Sequence, residues 1–229
     1  MPYYYWDPTY FLVLIGVVLS LLASAKVKSA YNKYSKVMAR SGITAEQVAA
    51  MILRNAGVND VAIRPIAGEL TDNYSPKDHT LNLSQNVYGS SSIAAIGVAA
   101  HECGHAIQHA QGYVPLGIRS AIVPVVNFGS TLSWPMIIIG LLIPKLSIFI
   151  QIGILLFTLV VIFQMITLPV EFNASGRAIT ILRDGGFLYE DEIGGAKKVL
   201  TAAALTYVAA MITASLQLLR LVMIFGRRR

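Results

Sequence analysis

Three side chains within five residues are of types that can work together: His101, Glu102 and His105. If the stretch from Ser90 to Gly112 is a helix, the two histidines stand one turn apart on the same face, where two imidazole nitrogens can bind one zinc ion. Glu102, one residue further round, then stands beside the metal without having to ligate it. Zinc in such a place acidifies a water and polarises a carbonyl, and a free carboxylate accepts the water's proton as it attacks. H-E-x-x-H spacing is thus the mark of a metal-dependent peptidase. The competing reading is a pair of satisfied core histidines with a carboxylate partner. It is disfavoured because the apolar run from Ile93 to Ala100 buries this helix, where unpaired polar groups are expensive. Cys103 is the single cysteine. It has no disulfide partner in the chain and is offset from His101, so it is expected to be a small buried packing residue.

The elements that must position these residues lie in a membrane. The chain has 229 residues, 55% hydrophobic and 13% charged, with a mean hydropathy of +0.61. Several apolar runs are long enough to cross a bilayer. The expected fold is mainly α and integral to the membrane, with about four transmembrane helices, 10–25, 118–143, 146–170 and 199–225. A small α+β catalytic region occupies 26–117 and a third-ligand segment 171–198. Tyr3, Tyr4, Tyr5 and Trp6 suit a membrane interface. The first span could be a signal peptide ending at Ala23, Ser24 and Ala25, but Asp7 and the lack of a preceding Lys or Arg favour a retained anchor. Arg119, Pro124, Asn127, Ser130, Ser133 and Pro135 suggest that the second span is kinked and packs on protein. Arg220 in the last span must reach an interface or a partner. The net charge of +6 is read through its placement beside the spans, and no nucleic-acid partner is inferred from it.

Within the catalytic region, Thr44 to Ala56 has the pattern of an amphipathic helix capped by Thr44 with Gln47 and stopped by Gly57. Val61 to Pro65 and Thr80 to Leu83 read as short strands, with a turn at Thr71 to Pro76. A strand just before the H-E-x-x-H helix is expected to be an exposed edge that pairs with an extended substrate backbone, the competing reading being an ordinary structural hairpin. His79, in the preceding loop, is expected to be exposed rather than a ligand.

A catalytic zinc usually takes a third protein ligand. His109 shares the face of His101 and His105, but at about 1.5 Å rise per residue it lies roughly 12 Å from His101 along a straight helix. Only a break after His105 would bring it in, and no glycine stands there. Glu171, where the hairpin of spans returns to the side of the motif helix, is the better candidate. His101-Glu102-Cys103-Gly104-His105, the strand before it and Glu171-Phe172-Asn173-Ala174-Ser175 together resemble the H-E-x-x-H and E-x-x-A-D elements of integral-membrane gluzincins, such as the HtpX-type proteases and the CAAX prenyl endopeptidases. The chain is also similar to the bacterial YugP-type membrane zinc metallopeptidases, over nearly its whole length, including Asp72-Asn73-Tyr74-Ser75-Pro76 and His105-Ala106-Ile107-Gln108. This resemblance implies a gluzincin-like catalytic region in which His101, His105 and Glu171 bind Zn2+ and Glu102 is the general base. Ser175 departs from the pattern, which has an aspartate there to orient a ligand histidine. A serine can hydrogen-bond but brings no charge.

The functional expectation is a membrane-embedded zinc endopeptidase acting on membrane or membrane-proximal polypeptides, with protein quality control as its setting. Tyr74, Asn73, His109 and Arg177 are candidate donors to the developing oxyanion. Lys26, Lys28, Lys33, Lys36, Arg40, Arg119, Arg177, Arg183, Lys197 and Lys198 favour a cytoplasmic catalytic side of a multi-pass cell-membrane protein. Four spans would then set Arg227, Arg228 and Arg229 against the positive-inside rule, unless the last helix fails to cross. The alternatives are a zinc-stabilised scaffold or chaperone-like protein without turnover, and a hydrolase of lipid or other non-peptide amides. The expected edge strand favours a peptide.

Overall fold

A computed structural model describes residues 7–226; the aromatic cluster at Tyr3 to Trp6 and Arg227 to Arg229 lie outside the described residues. The helices are α1 (Tyr10–Tyr34), α2 (Ala45–Asn55), α3 (Ile93–Ala110), α4 (Val114–Leu142), α5 (Ile148–Asp184) and α6 (Glu190–Phe225). The strands are β1 (Ala62–Ile66), β2 (Asn73–Ser75) and β3 (Thr80–Ser84). Helices α1, α4, α5 and α6 are long and apolar enough to cross a membrane. All four outrun their expected spans, α4 by four residues at its start and the others by more, because a change from apolar to polar residues marks a bilayer boundary and does not itself end a helix. α1 continues through the basic stretch to Tyr34, and α5 continues through Glu171 until Gly186, at φ +66°, turns the chain. α6 starts at Glu190, with three acidic residues in its first turn that suit the helix dipole.

The described chain divides into two units. The first comprises residues 7–23, 118–167 and 206–226, and small residues set its packing. A side chain on Gly153 of α5 would meet the Ser133 carbonyl of α4 at 2.7 Å, and one on Gly16 of α1 would meet Thr213 of α6 at 2.8 Å. Such contacts replace the hydrophobic drive that is missing between helices in lipid. Thr213 also donates to the Gly16 carbonyl, at 3.1 Å. Arg220 finds the partner it needs in Asp7, at 3.5 Å, and lies over the Tyr10 ring. α4 runs as one helix through Pro124 and Pro135. Phe11, Leu21, Phe128 and Leu155 are exposed, as lipid-facing side chains would be.

The second unit comprises residues 24–117 and 168–205. α2 is capped by the expected residues: the Gln47 side chain accepts from the Thr44 N–H at 3.2 Å, while the Thr44 hydroxyl donates to Glu46 at 2.6 Å. α2, the sheet and α3 close around Val48, Ile52, Leu81, Leu83, Ile96 and Cys103, joined by Leu182 of α5. Arg40 pairs with Asp191 and Glu192 at the start of α6, and its guanidinium stacks on Tyr189. The strand order is β1-β3-β2, β1 parallel and β2 antiparallel to β3. This corrects the expectation for the strand before the motif helix. β3 is the central strand, hydrogen-bonded on both sides and with four of its five residues buried, so it offers no free edge. The edges are β1 and β2.

Candidate metal centre

α3 is a single unbroken helix of 18 residues. Ser92 caps its start, the hydroxyl accepting from the Ala95 N–H at 3.2 Å, and the chain leaves after Gln111 through Gly112 at φ +63°. His101 and His105 therefore share one face, with ring centroids 4.7 Å apart. α5 crosses this face at Gly104. A β-carbon on Gly104 would stand 2.7 Å from the Ala174 carbonyl oxygen and 3.2 Å from the Ala174 Cα, so only glycine lets the two backbones come this close. The contact explains why Gly104, between His101 and His105, has no side chain. Val170, Ala174, Ala178 and Leu182 recur every fourth residue on α5 and are fully buried, and Glu171 is carried in beside them.

Glu171 Oε2 lies 3.3 Å from His101 Nε2 and 3.5 Å from His105 Nε2. The three donor atoms fall within 4.8 Å of one another, close enough to share one ion. Two neutral imidazoles and one carboxylate form the donor set of a catalytic zinc, which keeps a further position for water. The residues present fit the metal on this ground.

The far side of each imidazole is held differently. His105 Nδ1 lies 3.0 Å from Gln108 Oε1. The Gln108 amide nitrogen, fully buried, donates to the Val170 carbonyl and to Asn173 Oδ1, both at 2.9 Å. Asn173 Oδ1 in turn accepts from Arg177 Nε at 2.7 Å, and Arg177 also donates to Gln111 at 2.6 Å. Arginine has no acceptor and stays protonated, so this chain has one polarity. Arg177 makes Asn173 Oδ1 an acceptor, Gln108 must present its NH2 there, and its Oε1 is left facing His105. The proton then sits on His105 Nδ1, and Nε2 keeps its lone pair for a metal. Burial pulls the His105 pKa down, but for the metal-free ring the Glu171 carboxylate, which accepts from Nε2 once the imidazole is doubly protonated, and the charges of Glu102 and Glu171 outweigh it, so the net shift is upward. His101 Nδ1 lies 3.1 Å from Ser175 Oγ, so the serine occupies the orienting position that the sequence left in doubt.

Glu102 is 8% exposed, and no donor among the described residues hydrogen-bonds its carboxylate. Cys103 is fully buried with its thiol towards the Ala49 carbonyl, and burial pushes the thiol pKa up, consistent with a packing role.

The remaining candidates separate. His109 is exposed one turn beyond His105, outside the donor set, and its Nδ1 is 2.8 Å from the Tyr74 hydroxyl of β2. Asn73 accepts from Asn82 and donates to the Thr71 carbonyl, which leaves it bracing the hairpin. His79 pairs with Asp60 at 2.6 Å and packs edge-on against His109. Gln108 and Asn173, inside the recognised motifs, received no role from sequence. The available signal was Gln108's position three residues after His105, on the same helical side.

A family model described as "Putative neutral zinc metallopeptidase" matches residues 9–226. The chain is 49% identical over 215 residues to "Putative membrane protease YugP" of Bacillus subtilis (strain 168), covering 94% of this chain and 95% of that one. No solved structure gives a significant match. With a family match over almost its whole length, and with two histidines and a glutamate converging as a zinc site requires, the chain belongs to the neutral zinc metallopeptidase family.

Proposed function

We propose that the protein is a multi-pass membrane zinc endopeptidase that hydrolyses peptide bonds of membrane or membrane-proximal polypeptides, a task suited to protein quality control. The observation that carries this reading is the convergence of His101 Nε2, His105 Nε2 and Glu171 Oε2 beside a buried carboxylate, Glu102. Zinc bound there would polarise the scissile carbonyl and make the attacking water acidic. Glu102 takes the water's proton and passes it to the leaving amine, a role open to a carboxylate not engaged by any described donor. The Tyr74 hydroxyl and His109, already hydrogen-bonded to each other one turn beyond His105, are the proposed donors to the oxyanion. Asn73 and Arg177 are less suited, because their polar atoms are taken up within the hairpin and the Gln108 chain. Edge strand β2, which carries Tyr74, takes over from β3 as the strand on which an extended substrate would pair. The basic residues flanking the spans support catalysis on the cytoplasmic side.

Glu102→Gln tests the reading. It should keep its zinc and lower hydrolysis of casein by about 10²–10⁴-fold. Unchanged hydrolysis would exclude Glu102 as the base, and an unchanged cellular function with zinc retained would point to a scaffold.

A further inference from the structure

A cavity of about 600 Å³ in the second unit lies between the basic end of α1 and the first turns of α6, lined by residues that play no part in the metal centre. Lys26, Lys33, Lys197 and Lys198 line it, together with Ser29, Tyr34 and Thr201. Lys26 and Lys33 are two turns apart on one face of α1, and Lys197 and Lys198 approach from α6. None of the four has a carboxylate within ion-pairing distance among the described residues, although Arg40, a few residues on, is paired with Asp191 and Glu192. Four ammonium groups around one cavity repel each other unless an anion joins them. At Gly194 a side chain would meet nothing within 4 Å, so the α6 side of the cavity is open.

The sequence on either side of these lysines limits the anion. α1 is apolar up to Ala25 and basic from Lys26, and α6 is basic at Lys197 and Lys198 and apolar from Val199. Both walls thus change character at the level where a bilayer's phosphates lie. Ala30, Ala202 and the lysine stems make the cavity largely apolar beneath its charged rim. A free phosphate calls for a dense set of donors, whereas a phospholipid presents one anionic group on an apolar body. We propose that this cavity binds the headgroup of an anionic phospholipid, its phosphate held among Lys26, Lys33, Lys197 and Lys198. The consequence reaches α3. A side chain on Gly195 would stand 2.9 Å from Tyr34 and 3.1 Å from Ile93, and Gly97 packs on Ala196, so a lipid joining α1 to α6 also braces the start of the motif helix. This inference requires only that the chain sits in a membrane and does not depend on peptidase activity.

The test uses the full chain in dodecyl maltoside, with native mass spectrometry counting bound dioleoyl phosphatidylglycerol against dioleoyl phosphatidylcholine. Wild type should prefer phosphatidylglycerol by about tenfold or more, with the preference weakening as salt is raised. The combined variant Lys26→Gln, Lys33→Gln, Lys197→Gln, Lys198→Gln should bring that preference to within about twofold. Gly194→Leu should do the same by filling the cavity with no change of charge, and it carries the test alone if the four-lysine variant does not fold. Lys28→Gln with Lys36→Gln, basic residues of the same stretch that do not line the cavity, should keep the wild-type preference. The proposal is overturned if wild type binds the two lipids equally, if Gly194→Leu keeps the preference, if the Lys28 and Lys36 control loses it, or if millimolar inorganic phosphate displaces the lipid.

Discussion

His101 and His105 lie one turn apart on one helix, aim the same nitrogen at the same carboxylate, and are held by opposite means. His105 is backed by a buried chain of one polarity that starts at the permanently charged Arg177 and passes through Asn173 and Gln108. His101 is backed by a single hydroxyl, Ser175, which can donate or accept and so accommodates either tautomer. The difference would give the two histidines unequal parts in holding a metal. At His105 the protein dictates the tautomer in advance; at His101 a metal would complete the choice, with Ser175 following. An aspartate at position 175 would have made both sides acceptor-only and removed the asymmetry.

The contrast can be broken most severely at Gly104, on which both histidines depend. Gly104→Ala should drive α5 away from α3, lowering stability by about 1–3 kcal/mol in chemical denaturation, with loss of bound zinc because Glu171 moves with α5. Next comes the locked side. Gln108→Leu removes the acceptor that fixes the His105 proton and leaves the Val170 carbonyl and Asn173 without their donor, so zinc affinity should fall by about 10–100-fold in a chelator competition assay. The smallest effect belongs to the permissive side. Ser175→Ala should cost about threefold or less in the same assay, since water can replace the hydroxyl next to the partly exposed His101. Ser175→Asp should instead raise the affinity above wild type, and a fall would show that the two sides are not built as described.

The candidate donors could be picked out in the sequence because two of them are local: spacing on one helix places His101 beside His105, and the structure brings Glu171 of α5 within 4.8 Å of both. The orienting residues were less legible because their partners are remote in sequence. Gln108 is 62 residues from the carbonyl it bonds and 65 from Asn173. Strand β3 shows the same limit in the fold: its residues identify a strand, but whether it is central or at an edge depends on β1 and β2 pairing on either side. The helix ends were misplaced for a different reason. In α1 and α5 hydropathy reports the environment of the side chains, whereas the backbone hydrogen bonds continue until a turn such as Gly185-Gly186 interrupts them.

The most direct test of the account is the zinc content of the purified chain, measured side by side for wild type, Glu171→Ala and His109→Ala. Wild type and His109→Ala should hold about one zinc per chain, and Glu171→Ala less than about a tenth of that, having lost one of the three proposed protein ligands. Zinc retained by Glu171→Ala and lost by His109→Ala would contradict the account, because α3 would then have to break after His105 and the α3–α5 contact at Gly104 could not be what forms the site.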